Sequence, residues 1–243
     1  MNVLTGDNTR FQEFSSIQEM IKFISAQTAS ILSAAIKARG SASYVAAGGS
    51  TVPPLFEALS NSDIDWEKVN ITLSDDRWVK PSDPTSNHFL VTNTLLQNKA
   101  SRANFAPLLR HCEMPEQAIT LSDAAIHAIA KPFDVTLLGM GADMHVASLI
   151  PNAPGTGRAL DTSRPAMVCK IGPVDGPNGA EIRLSLTLRA ILESKVIFIM
   201  ITGDEKLKSL KKASLLKDPT SSPVSAILHQ TKCPVYVYWA PKP

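Results

Sequence analysis

His145 and Asp143 flank a single residue in LLGMGADMHVASLIP, residues 137 to 151, which also carries Gly139 and Gly141. An imidazole beside a carboxylate, presented by a glycine turn after an apolar run, suits general base chemistry near neutral pH. Two other readings of the stretch fail. As a dinucleotide-binding turn it has Met144 where the third glycine belongs, and it lies late in the chain. It also lacks the acidic residue expected at a strand end about 20 positions on. As a metal site it offers Asp143 and His145 without further ligands at sensible spacing. Lone histidines are usually structural, and His88, His111, His127 and His229 are assigned that role. His145 differs because glycines, an acid and a strand end coincide there.

Three more segments carry chemically useful residues. GGSTVPP, from residue 48, supplies Gly49 for close backbone approach, the hydroxyls of Ser50 and Thr51, and the free N–H groups of a helix start. The residues fit an anion site and a tight turn with a Ser/Thr cap equally well. No G-K-[ST] follows, so it is not a phosphate loop of the Walker type. SDDRWVKP places Arg77 where it could fork onto a phosphate or carboxylate. Asp75 and Asp76 could orient it or move protons, and the plain alternative is a surface ion pair of little worth. TGDEKLKSL puts Lys206 in the first turn of a helix, against the dipole, which suggests an anion nearby. A solvated lysine is the alternative.

These segments sit at the ends of recognisable elements. Ser16 and Glu19 form a capping box for a helix whose apolar positions recur from Ile17 to Ile36, with Gly40 as its stop. SYVAAGG, VNITLSD, FDVTLLGMG, KVIFIMITG and CPVYVYWA read as buried strands. PPLFEALS, SNHFLVTNTLLQ, DAAIHAIA and DEKLKSLKKASLL read as helices between them. Pro151 to Pro177, rich in Gly, Pro and Asn, reads as an excursion over the surface, and RLSLTLRAILES as beginning with a strand. Apolar strands alternating with helices predict a Rossmann-like α/β fold, a mostly parallel twisted sheet with helices on both faces. Ligands of such sheets bind beyond the carboxyl ends of the strands, so the four segments are expected to share one rim.

At 243 residues the chain can bury a core without disulfides or metals. Its 44% hydrophobic and 19% charged composition is that of a globular protein, and a net charge of +2 with scattered basic residues excludes a nucleic-acid footprint. KLKSLKK reads as a solvated helix face. Cys112, Cys169 and Cys233 lie far apart and fit buried thiols in a reducing compartment. VIFIMI is too short to span a bilayer, and the first residues lack the pattern of a secretion signal; both predict a cytoplasmic protein without a membrane partner.

In order, GGSTVP, DDRWVKPSDPTSN, LGMGADMHVASLIP and RLSLT resemble the segments of the 6-phosphogluconolactonase family. That family reads approximately G-G-S-T-P, D-E-R-x-V-P-x-x-x-x-x-S-N, L-G-M-G-x-D-G-H-x-A-S-L-F-P and R-x-S-L-T. It belongs to a wider group with glucosamine-6-phosphate isomerase/deaminase. The resemblance implies a glucosamine-6-phosphate deaminase-like fold and one domain over 1–243. It also implies hydrolysis of 6-phosphoglucono-1,5-lactone without metal or organic cofactor, by a monomer or weak homo-oligomer. On the matching positions, His145 would activate water with Asp143 beside it. Gly49, Ser50, Thr51, Asp75, Arg77, Arg183 and Lys206 would bind the substrate, chiefly its phosphate. The chain departs from the pattern at Asp76 (usually Glu), Met144 (usually Gly) and Val146 (commonly Thr). If position 144 needs a positive φ, a methionine there is costly. The deaminase branch typically continues D-G-H-I-A-F-N-E-P; here Ile150 takes the place of its catalytic Glu and cannot handle protons. A sugar-phosphate sensor is the other rival, and for it the His145–Asp143 pair would be surplus.

Overall fold

The structure is a computed structural model describing residues 7–109, 115–176 and 179–242, so His111 and Cys112 lie outside the described residues. The chain begins with β1 (Thr9–Glu13), α1 (Ile17–Arg39), β2 (Ala42–Ala46), α2 (Pro53–Ser60), β3 (Val69–Leu73) and β4 (Asp75–Arg77). Next come α3 (Asn87–Thr94), β5 (Asn104–Phe105), α4 (Pro115–Ala128), β6 (Val135–Gly139), α5 (Thr156–Leu160), β7 (Val168–Gly176) and β8 (Gly179–Leu186). It closes with α6 (Leu188–Leu192), β9 (Ile197–Thr202), α7 (Asp204–Leu215), α8 (Pro223–Leu228) and β10 (Val235–Ala240).

Seven strands form one sheet in the order β1-β10-β9-β6-β2-β3-β5, and every neighbouring pair is parallel. The step from β2 through α2 to β3 runs one way along the sheet, and the steps from β6 to β9 and β10 run the other way. Parallel crossovers are right-handed, so the helices of opposite steps cover opposite faces. Strands covered on both faces read as continuous apolar runs, which is why β2 is buried along its whole length. The point where direction reverses lies between β2 and β6, where such sheets open a crevice at the carboxyl ends.

The amino ends are tied together by charge. Asp134, fully buried just before β6, accepts Arg39 Nη2 at 2.7 Å on each carboxylate oxygen and the amide of Ser43 at 2.9 Å, with Lys195 Nζ 3.0 Å away. One carboxylate thus pins the end of α1 and the starts of β2 and β9 to β6. The capping box forms with a shift: Ser16 Oγ accepts from the Glu19 amide, while the Glu19 carboxylate accepts from the Ser15 amide. Gly40 ends the helix at φ 81°.

The expected surface excursion from Pro151 to Pro177 is overturned. Residues within it form α5 and β7, and β7 joins β8 and β4 in a second, antiparallel sheet ordered β4-β8-β7. Its alternation was hidden because a register shift between Ile171 and Val174, across Gly172 and Pro173, breaks the period of two. Asp75 to Arg77, just after β3, form β4 of this second sheet. β1, also unforeseen, lengthens the central sheet at the edge beside β10. Cys169 and Cys233 are buried free thiols.

Asp76 turns inward from β4. Its carboxylate accepts the amides of Arg77, Asn87 and His88 and the hydroxyl of Ser86, capping α3. Burial nevertheless pushes its pKa up from an ordinary 3.8 to about 6, against the hydrogen bonds that favour the ionised form. With the folded value above the unfolded one, the folded chain holds a proton the unfolded chain has released. The destabilisation is therefore absent below about pH 4 and complete above about pH 6, and the gap corresponds to about 3 kcal/mol. The stability of wild type relative to Asp76→Asn, from denaturant titrations, is expected to fall by up to that amount between pH 4 and pH 6.5.

Candidate active site

A cavity of about 310 Å³ opens on the carboxyl rim where β2 and β6 part. Four of the strands end there, side by side in the order β9, β6, β2, β3, so the four segments singled out from sequence do converge.

Beyond β2, Gly49, Ser50 and Thr51 line the cavity. The residue capping α2 is Val52, without a side-chain bond, and Pro53 follows at the first helical position. The alternative of a Ser/Thr cap therefore fails, and neither hydroxyl makes a hydrogen bond among the described residues. Gly48 is required by close approach: a Cβ there would lie 2.1 Å from Asn87 Oδ1. Asn87, which the sequence reading did not single out, donates Nδ2 to the carbonyl of Asp75 at 2.8 Å and lines the cavity.

Beyond β3 the two aspartates separate. Asp75 faces the cavity, held by Ser74 Oγ at 2.7 Å and Ser148 Oγ at 2.6 Å. The second of these ties β4 to the loop that carries His145. Asp76 faces away, as described. Arg77 lies opposite Arg183 in the antiparallel pairing of β4 with β8. One oxygen of Glu181 accepts from both, at 3.1 Å from Arg77 Nε and 2.9 Å from Arg183 Nη2. Arg77 also donates Nη1 to the carbonyl of Thr85 at 2.5 Å. Glu181 was missed, although the alternation of AEIRLSLT puts it on the face of Arg183.

Beyond β6 the loop turns on Gly141. A Cβ at this position would lie 2.3 Å from both Asp143 Oδ1 and His145 Nδ1, so only glycine leaves room for the pair. His145 Nδ1 is 2.6 Å from Asp143 Oδ1, and the same oxygen accepts the His145 amide at 3.2 Å. Burial works to raise the Asp143 pKa, but the hydrogen bond and charge of His145 outweigh it and leave the carboxyl below its ordinary range. An ionised carboxylate can only accept, so Nδ1 carries the hydrogen of that bond, and in the neutral ring Nε2 is the acceptor. Asp143 itself lines a second cavity of about 430 Å³, and His145 and Arg183 are the two residues common to both cavities.

Beyond β9, Lys206 is the third residue of α7 and lines the first cavity. Burial pushes its ammonium down, while the charges of Glu205 and Asp143 pull it up. It forms no ion pair among the described residues. A half-buried cation at a helix start, with its own dipole against it, is a place for an anion. Among the described residues no cluster of metal-ligating side chains occurs, and no helix is long and apolar enough to cross a membrane. Of the remaining described histidines, His127 bonds back to Asp123, His88 packs edge-on to Phe105, and the His229 backbone caps α8.

The position of Met144 explains the missing glycine only in part. Its φ is 72°, in the left-handed region, so the side chain sits where glycine is preferred. Both its backbone groups are satisfied: its N–H donates to Gly141 at 3.0 Å, and its carbonyl accepts from Val224 at 3.1 Å. Ser209 Oγ holds the neighbouring Ala142 carbonyl at 2.7 Å.

A family model described as glucosamine-6-phosphate isomerases/6-phosphogluconolactonase matches residues 15–239. A 6-phosphogluconolactonase of Mesorhizobium japonicum is 37% identical over 98% of each chain. One from Rhizobium meliloti is 36% identical over 86% of this chain and 89% of its own. The crystal structure of a 6-phosphogluconolactonase from Shewanella baltica, 36% identical, superposes with a TM-score of 0.92 over 96% of this chain and 98% of the other.

Two variants separate strain from packing at position 144. Met144→Ala removes the side chain and keeps the strain, whereas Met144→Gly removes both. The glycine variant is expected to be more stable than the alanine variant by about 1 kcal/mol in chemical denaturation, despite its larger backbone entropy.

Proposed function

The chain belongs to the glucosamine-6-phosphate isomerase/6-phosphogluconolactonase family, and from that premise we propose that it hydrolyses 6-phosphoglucono-1,5-lactone to 6-phosphogluconate in the oxidative pentose phosphate pathway. The observation that carries the reading is a convergence. A histidine oriented by a carboxylate and three cations, Arg77, Arg183 and Lys206, meet at one cavity of about 310 Å³. The branch with a catalytic Glu is disfavoured because Ile150, an apolar side chain, stands in its place on the wall of the second cavity.

The phosphate lies against Lys206 and the Gly49–Ser50–Thr51 turn, where unengaged hydroxyls and a half-buried ammonium await an anion. That fixes the ring with its carbonyl carbon toward His145. Nε2 takes a proton from a water as its oxygen bonds to C1, and Asp143 stabilises the imidazolium that forms. Arg183, which shares the partition between the cavities with His145, binds the substrate beside the base, while Arg77 faces the developing oxyanion and Asp75 holds sugar hydroxyls. As the tetrahedral intermediate collapses, the bond from C1 to the ring oxygen breaks. The proton on His145 passes to that oxygen, which becomes the C5 hydroxyl. The enzyme works as one domain in the cytoplasm, as a monomer or weak homo-oligomer, on a small molecule and without a nucleic-acid partner.

The test is loss of lactone generated in situ by oxidation of glucose 6-phosphate, followed above its spontaneous opening. No acceleration by the purified protein would refute the reading. His145→Asn is expected to lower kcat by about 10²–10⁴-fold. Lys206→Ala should act mainly on KM, raising it about tenfold or more, since it removes a charge-assisted contact to the phosphate.

A further inference from the structure

We propose that Glu181 is the positioning residue of this site, setting the place of the Arg183 guanidinium without touching substrate. The inference rests on the lactonase reading and extends it to a residue behind the cavity wall.

Arg77 and Arg183 stand directly opposite each other on β4 and β8. Like charges in that relation repel and would splay apart. Both are more than half withdrawn from solvent, at 26% and 14% side-chain exposure, so water screens little of the repulsion. Glu181, at 12% exposure, places one oxygen between them and neutralises one of the two charges. It does not line the cavity, so it acts through the arginines.

The two arginines depend on it unequally. Arg77 keeps a second anchor in the carbonyl of Thr85. The Arg183 side chain makes no other hydrogen bond among the described residues, and its Nε is buried without a partner. Removing Glu181 therefore releases Arg183 altogether and Arg77 only in part. Because Arg183 lines both cavities beside His145, its release loosens a contact that holds the bound substrate there.

Turnover of in-situ lactone by wild type tests the underlying reading, and ratios among variants test Glu181. Glu181→Ala is expected to raise KM about tenfold with kcat changed less than about threefold. On an Arg183→Ala background the same change should move KM by less than about twofold, whereas on an Arg77→Ala background it keeps its full effect. Glu181→Gln retains a carbonyl acceptor and should stay within about threefold of wild type. If the alanine variant fails to melt cooperatively, Glu181→Gln runs the same cycle, with a smaller loss that still vanishes beside Arg183→Ala. Losses that add in full to Arg183→Ala, or fall equally on both arginine backgrounds, overturn the proposal while leaving the reading intact. If wild type shows no turnover, the reading fails, and the cycle is read from 6-phosphogluconate affinity by calorimetry with the same expectations.

Discussion

Every strand of the central sheet runs the same way, and that constraint governs the rest of the molecule. A parallel strand cannot return through a tight hairpin; it must leave the sheet, cross over, and re-enter at the far end. Each crossover therefore starts at the same rim with a turn and, in most cases, a helix whose first amides are unpaired. Glycines and polar residues gather there because the chain must bend and those amides need partners. The buried Asp134 knot at the opposite rim holds the strand starts level, so the four working ends reach comparable height. The reversal of crossover direction between β2 and β6 opens the crevice itself.

The small antiparallel sheet has a different task. It brings Arg183 and Glu181, far along the chain, beside Arg77, and it anchors Asp75 to the His145 loop through Ser148. The His145–Asp143 pair and the arginines thus come from separate sheets, joined at Ser148, whose hydroxyl donates to Asp75 and whose amide donates to Ser185 on β8. Charges of both signs, Asp75, Asp143 and Glu181 against Arg77, Arg183 and Lys206, are interleaved there, so no cation is stranded beside another without an acid between or near them.

Much of this was legible in the sequence because its cause is local. Continuous apolar runs mark buried parallel strands, and the residues just after them mark the rim, so His145, Asp143, Arg77, Lys206 and the Gly49–Thr51 turn could be named from spacing alone. Arg183 was different: it rested on family resemblance, since nothing local to RLSLT says what it faces. What stayed hidden depends on contacts between distant residues. Asn87 matters because it fills the space a Gly48 side chain would take, and Glu181 because the β4–β8 register sets it behind two arginines. β7 escaped notice because its irregular register erases the period that a strand normally prints on its sequence. The family pattern raised a positive φ at Met144 only as a condition; the backbone meets it, and the hydrogen bonds that hold it have no local signal in the sequence.

The fastening of the His145 loop has a consequence for substrate choice. Its Ala142 carbonyl is held by Ser209 on α7, the helix that also carries Lys206, and its Met144 carbonyl by the start of α8. In the proposed reading, base and phosphate anchor are therefore fastened to each other, and the span between them acts as a gauge. With the phosphate seated, a carbonyl at the matching number of bonds from it would meet the imidazole, and that of a shorter or longer sugar phosphate would fall out of reach.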